Sequence, residues 1–146
     1  MLGDMAELAN KQALDEAFSS LSQGDSRRFL ALMAEDFVWE IPGKSTWSGR
    51  WEGKETVREK LFGPLFGQFE GTYTNTPLQM IAEGDLVVVE CRGKVATKRG
   101  GRYDNTYCYI CRFEGSELKE LTEYMDTALA DEALGPPLDR PLAPSR

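Results

Sequence analysis

A chain with no histidine must do any proton chemistry with carboxylates, phenols, thiols or amines. That absence removes the commonest general base and the commonest metal ligand, and it excludes Ser-His and Cys-His nucleophilic arrangements outright. Glu40 stands between Trp39 and Ile41. A carboxyl desolvated there would have its pKa raised, because burial disfavours the charged form. Glu40 is therefore a candidate catalytic acid or base, against the alternative of a solvent-facing strand glutamate. Asn105 and Tyr107 share one strand parity, as do Tyr103 and Tyr109. Side chains of this kind can donate hydrogen bonds to a carbonyl oxygen that becomes an enolate. Tyr107 is thus a catalytic candidate and Asn105 a substrate-binding one, with ordinary strand packing as the alternative. Trp39, Trp47 and Trp51 offer flat apolar faces to a ligand; Trp47 and Trp51 serve equally well as caps on a core. Arg92 interrupts an apolar strand and can pair with Glu90 or with a carboxylate in a pocket.

The elements that would position these groups follow from periodicity. Residues 4–22 read as a helix with an apolar stripe of Leu14, Ala17, Phe18 and Leu21. Gly24 ends it, and Asp25 caps a short second helix carrying Phe29, Leu30 and Met33. Phe37, Trp39 and Ile41 alternate with Val38 and Glu40 on a strand that Pro42-Gly43 stops. Residues 43–53 read as a loop, and a third helix follows with Val57, Leu61, Phe62, Leu65 and Phe66, which Pro64 must kink or end. From Thr72 to Asp126 the chain reads as strands joined by turns at 83–85, 99–102 and 114–117. Leu86 to Val89 is apolar without alternation, which predicts cover on both faces. Residues 131–146 hold four of the seven prolines and read as a mobile tail after a single domain over 1–130. Helix, helix, strand, helix and a meander of strands make an α+β layer with a curved antiparallel sheet.

Composition narrows the partners. The net charge of −7 repels phosphate backbones and anionic lipid, and no apolar run approaches the length of a membrane span. Neither nucleic acid nor membrane is expected as a partner. The start, Met1-Leu2-Gly3-Asp4, lacks the basic and apolar regions of a secretion signal, so a cytoplasmic location is expected. Cys108 and Cys111 have metal-knuckle spacing, but residues three apart on a strand point to opposite faces. No metal is expected there. No phosphate loop or dinucleotide fingerprint occurs, so no cofactor is expected.

Several segments resemble the SnoaL-like polyketide cyclase family of the ketosteroid-isomerase-like, or nuclear transport factor 2-like, superfamily. They are Phe37 to Gly43, Ser48 to Gly53, Gly84 to Glu90, Tyr103 to Tyr107, and Glu123-Tyr124-Met125-Asp126-Thr127, in the family's order. The resemblance implies a cystatin-like cone, a curved sheet wrapped round N-terminal helices with a pocket between them, and frequent homodimers formed through the sheet. It also implies that Asp126, at the end of the last strand, is the catalytic acid or base, with a chain-capping aspartate as the alternative. Tyr124 shares its parity and is expected on the same wall. Many members have histidine where this chain has Glu40, which would substitute a carboxylate at that position. Glu90-Cys91-Arg92 inverts the arginine and aspartate order that epoxide hydrolases of this fold want, which ranks epoxide opening below enol chemistry. The expected function is a cofactor-free acid–base enzyme of cyclase or isomerase type acting on an apolar carbonyl compound. A non-catalytic binding protein for an apolar metabolite, or a dimeric interaction module, are the alternatives, since this fold hosts many functions.

Overall fold

The computed structural model describes residues 2–137 and 141–145. Helix α1 (Leu2–Leu21) forms from a proline-free sequence rich in alanine and straight-chain residues, and its Leu14, Ala17 and Phe18 are buried beneath the sheet. It ends in a Schellman turn, where Asp25 N–H donates to Ser20 O at 2.9 Å and Gly24 N–H to Leu21 O at 3.0 Å. Gly24 takes φ +85°, and a Cβ there would collide with Thr72 Cγ2. The turn therefore needs glycine twice over. Helix α2 (Arg27–Leu32) follows, with the Asp25 carboxylate accepting from Arg27 N–H at 3.0 Å.

The strands are β1 (Met33–Ile41), β2 (Gly49–Glu52), β3 (Phe69–Glu83), β4 (Leu86–Thr97), β5 (Thr106–Glu114) and β6 (Glu117–Met125). They form one curved, unclosed sheet in the order β2-β1-β6-β5-β4-β3. The expected α+β architecture is observed, with one correction to the sheet. It is mixed, because β1 runs parallel to β6 while all other neighbours are antiparallel. The long stretch of chain between β1 and β6 gives the crossover room that parallel pairing needs. β1 also begins at Met33, four residues before alternation becomes visible, since its register shifts between Met33 and Val38. β2 lies inside the segment read as a loop. It is a four-residue edge strand, too short to display a period, that pairs Trp51 with Trp39.

Between β2 and β3 runs a continuous helical segment. It consists of α3 (Lys54–Thr56), a π-helical stretch (Val57–Phe62) and α4 (Gly63–Phe66). Pro64 sits in the first turn of α4, where it has no N–H to give and its ring would clash with the carbonyl four residues back in a regular helix. The preceding turns are widened, and Gly63 N–H reaches back five residues to Arg58 O.

β4 alternates in burial though not in hydropathy: Val87 and Val89 are fully buried, Val88 is half-buried and Leu86 is exposed. After β6, helix α5 (Thr127–Ala133) begins, so the boundary expected at residue 130 falls inside a helix. Leu134 is buried. Gly135 O accepts from Trp47 Nε1 and from Gln68 Nε2, both at 3.0 Å. Farther on, Leu142 O accepts from Arg50 N–H at 2.9 Å. Residues 131–135 and 141–145 are thus tied to the body, while 138–140 and 146 of the expected tail lie outside the described residues. Among the described residues no helix is long and apolar enough to cross a membrane.

Candidate functional site

Between the inner face of the sheet and the helices lies a cavity of about 70 Å³. Its apolar walls come from Phe29 and Leu30 of α2, Leu61 and Phe62 of the π-helical stretch, Leu65 and Phe66 of α4, and Trp39 of β1. This volume suits a few water-sized groups, and a cavity of about 150 Å³ is needed for a benzene ring. Phe62 and Phe66 of this lining have ring centroids 5.4 Å apart, and Phe66 is 40% exposed. Ring-sized ligands therefore require the lining side chains to move.

The polar lining is confined to a few groups, and among the described residues Glu123 is its only acid. Glu123 lies on the inner face of β6, in register with Tyr109 of β5, and is only 7% exposed. Its Oε1 accepts a hydrogen bond from Trp39 Nε1 at 2.9 Å. Burial pushes its pKa up from 4.5 to about 7, and the Trp39 bond opposes that rise only in part. Among the described residues no lysine or arginine lines the cavity to hold the carboxylate charged.

Tyr73, Tyr103, Tyr107 and Tyr109 supply four phenols. Burial pushes all four above the ordinary tyrosine range, with the Glu123 charge adding to the effect. They are neutral donors at physiological pH. Tyr107 lies beside Tyr109, with ring centroids 5.4 Å apart. Asn75 of β3 donates from Nδ2 to the hydroxyls of Tyr73 at 3.2 Å and Tyr109 at 3.4 Å. Gly93 of β4 leaves space for these rings: a Cβ there would meet Tyr73 Oη at 2.8 Å and Tyr107 Cε2 at 3.1 Å.

Of the site candidates singled out in the sequence, Trp39, Tyr103, Tyr107 and Tyr109 line this cavity. Asp126 does not. It is exposed, and its Oδ1 caps α5 by accepting from Leu129 N–H at 3.1 Å, which is the capping alternative. Tyr124 does share its parity, but that parity faces outward, leaving Tyr124 41% exposed. Glu40 is buried on the opposite side of β1 from Trp39. There Arg50 Nη1 donates to it at 3.1 Å and the Ser145 hydroxyl at 2.7 Å. Burial pushes its pKa up, but the Ser145 hydroxyl and N–H and the Arg50 guanidinium outweigh this and hold it below the usual carboxylate range. The raised pKa expected for Glu40 is thereby corrected.

Trp47 is buried with its indole bonded to Gly135 O, away from the cavity. Trp51 is buried and borders a separate groove with Lys60 and Leu142. Asn105 is a buried brace: its Nδ2 donates to Asp126 O at 3.1 Å and to Tyr103 Oη at 3.3 Å. Arg92 is exposed and pairs in register with Thr106 and Thr76. The cysteines are free; burial pushes the Cys91 and Cys111 thiols up and makes them inert.

Sequence reasoning passed over Glu123, although a signal was present. Leu121 and Met125 flank it at two-residue spacing, so the inward parity of β6 reads Leu121, Glu123, Met125. A carboxylate on the apolar parity of a core strand is the anomaly that marks the site.

The sequence profile of the SnoaL-like domain matches residues 14–121. No curated protein matches the sequence. Among solved structures, Bal32a from a soil-derived mobile gene cassette is similar with a TM-score of 0.77 and 23% identity, over 89% of this chain and 99% of that one. TerC, co-crystallized with polyporic acid, gives 0.72 at 21% identity over 86% and 97%. A candidate SnoaL-like polyketide cyclase from Jannaschia sp. CCS1 gives 0.72 at 17% over 88% and 93%. Likeness at these identities carries the nuclear transport factor 2-like fold and not a reaction.

Proposed function

Because the chain belongs to the SnoaL-like domain family, we propose that it is a cofactor-free acid–base enzyme of cyclase or isomerase type, acting on an apolar carbonyl compound held against Glu123. One observation carries this reading: a lone carboxyl, desolvated to a pKa of about 7, opens into an apolar cavity beside neutral phenol donors. At neutral pH both forms of Glu123 are populated, so the same group accepts a proton and returns it. The carboxylate takes a proton from the carbon next to the ligand's carbonyl. As charge builds on the carbonyl oxygen, the hydroxyl of Tyr109, the register partner of Glu123, donates to it. The enolate then takes the proton back from Glu123 at a different carbon, or its carbon attacks a second carbonyl of the same molecule, whose π bond breaks and whose oxygen takes the proton from Glu123 as the ring closes. Positioned acid–base groups of this kind contribute roughly 10²–10⁴-fold to the rate.

Support also comes from what surrounds the acid. Walls of Phe29, Leu61, Phe62 and Leu65 exclude water and favour an apolar ligand. Arg92 lies on the outer face of the sheet, so epoxide opening lacks the arginine partner it would want beside Glu123. A screen of small enolisable ketones in D2O tests the reading. Wild-type protein is expected to catalyse exchange of the protons next to the carbonyl, and Glu123→Gln to lose it with the fold retained. Exchange that survives in Glu123→Gln would end the assignment.

We propose further that two copies pair through the outer sheet face. Ile81, Leu86 and Tyr124 share the outward parity of the sheet and are 59%, 37% and 41% exposed, and these apolar side chains form the pairing surface of this proposal. Light scattering should give the mass of a dimer for the wild type and of a monomer for Ile81→Glu; a wild-type monomer at high concentration refutes the pairing.

A further inference from the structure

Phe66 stands at the junction of two hollows. Leu21, Ser26, Phe66 and Tyr73 line the cavity that holds Glu123, and the same four line an adjoining groove of about 370 Å³. The Phe66 ring packs against Phe62, which of the two hollows borders only the cavity, and against Phe69, which borders only the groove, each with centroids 5.4 Å apart. Among the described residues no charged side chain lines the groove; its polar side chains are Ser26, Thr72 and Tyr73. Phe66 is also built to move. Its 40% exposure leaves part of the ring without packing partners. Helix α4, which carries it, is four residues long, follows the π-helical stretch, begins at Gly63 and is capped by Gly67. A single turn bounded by glycines offers little resistance to a change of side-chain or backbone angle.

From this we infer that Phe66 is the gate between the two hollows, and that the ligand is a ketone with an unbranched apolar chain: its carbonyl end stands at Glu123 while the chain runs past Phe66 into the groove. The inference rests on the reading of the cavity as the site of an apolar carbonyl compound and narrows that class to slim, long-chain members. The cavity of about 70 Å³ is smaller than a benzene ring requires, whereas a chain one methylene wide needs only Phe66 to give way. The groove continues the cavity wall and carries no charge, so its fitting occupant is the rest of the same apolar molecule rather than a separate ionic ligand. Each methylene that reaches Leu21, Phe69 and Tyr73 leaves water for apolar surface and adds to affinity.

A series of methyl ketones, 2-butanone, 2-pentanone, 2-heptanone and 2-nonanone, tests this, with affinity measured by ligand-observed NMR. Affinity for the wild-type protein should rise about two- to fourfold per added methylene. Thr72 is exposed and borders only the groove, so Thr72→Asp sets a carboxylate there without touching the core. It should abolish the rise between 2-pentanone and 2-nonanone. A flat series in the wild type overturns the inference, and so does a rise that Thr72→Asp leaves intact, which is unspecific partitioning. Intermolecular NOEs from the terminal methyl of 2-nonanone should fall on Thr72 and Phe69; NOEs confined to Leu61 and Trp39 place the chain inside the cavity and overturn it independently of any variant. Phe66→Ala, at an exposed position, should speed the association of 2-nonanone, and an unchanged rate removes the gate. Proton exchange in D2O on 2-butanone reports Glu123 separately. Exchange without a dependence on chain length removes the groove and leaves the acid–base reading standing. A chain-length dependence without exchange does the reverse, and failure of all four ketones to bind overturns both.

Discussion

Trp39 Nε1 donates to Glu123 Oε1 at 2.9 Å across the one parallel strand pair in the sheet. Because β1 and β6 run parallel, Trp39 lies in register with Leu121, and its indole reaches two residues along β6 to the carboxyl. The bond gives a buried acid one fixed partner and no cation. Its charged form is therefore tolerated but not favoured, the condition for a group that both takes and gives a proton near neutral pH.

This has a consequence for stability. The pKa of Glu123 is raised in the folded protein, from 4.5 to about 7. Between those values the folded state holds a proton that the unfolded state has lost, so stability falls as pH rises through that window and levels off above it. The loss is about 3 kcal/mol, at about 1.4 kcal/mol per pH unit. Glu123→Gln removes this slope. Urea denaturation of both proteins from pH 4 to 9 should show the variant gaining on the wild type as pH rises, with the whole change lying below about pH 8. Parallel curves would mean that Glu123 titrates as a surface group.

Trp39→Phe tests the other partner. The indole N–H favours the carboxylate, so its removal raises the Glu123 pKa further. A hydrogen bond to a charged group is worth about 1.5–3 kcal/mol, equivalent to about 1–2 pH units. The rise of ketone proton exchange with pH should move upward by about that amount, with little change in the rate reached at high pH. A lower plateau at an unshifted midpoint would instead assign Trp39 to substrate packing.

The fold was legible because it is written in repeated patterns: the stripe of Leu14, Ala17 and Phe18, and the glycine turns at Gly84 and Gly115, both at positive φ. The site was less so, since it depends on which parity of one strand faces inward. Tyr124 and, just past the strand end, Asp126 fall on the outward parity of β6, whereas the inward set is Leu121, Glu123 and Met125. Glu40 was correctly read as a strand residue beside Trp39, but nothing local to it reveals that Arg50 and Ser145 enclose it on the other face. Asn75 carries no signal at all in a β3 sequence rich in threonine; only the finished hydrogen-bond network ties its amide to Tyr73 and Tyr109.

Glu40 and Asp126 should accordingly separate from Glu123 in function. Asp126→Asn keeps a good helix cap, and Asp126→Ala should lower stability by about 1 kcal/mol; neither should change proton exchange. Glu40→Gln weakens the contacts with Arg50 and Ser145 and should lower stability by about 1–3 kcal/mol, again with exchange intact. Since the Glu40 pKa is depressed in the fold, its contribution is present above the ordinary carboxylate range and lost as pH falls through its folded value. The wild-type advantage over Glu40→Gln should thus vanish in acid, the opposite trend to that of Glu123. A loss of exchange in either Glu40→Gln or Asp126→Asn would return the chemistry to the residues first expected.

Gly93 connects the sheet to the phenols. A Cβ on β4 at this point would lie 2.8 Å from Tyr73 Oη and 3.1 Å from both Tyr73 Cε1 and Tyr107 Cε2. Both rings pack among other aromatics, Tyr73 stacked on Phe69 with centroids 5.3 Å apart and Tyr107 beside Tyr109 at 5.4 Å, so neither can yield freely. Gly93→Ala should destabilise the protein by about 1–3 kcal/mol through overpacking and reduce proton exchange by displacing the hydroxyl network that Asn75 and Tyr109 share. Tyr73→Phe in the same chain removes the closest of the three contacts. The double variant should therefore recover part of the lost stability relative to Gly93→Ala alone, beyond the sum of the two single effects. Strict additivity in that cycle would place the strain elsewhere and free Gly93 from any role in shaping the cavity.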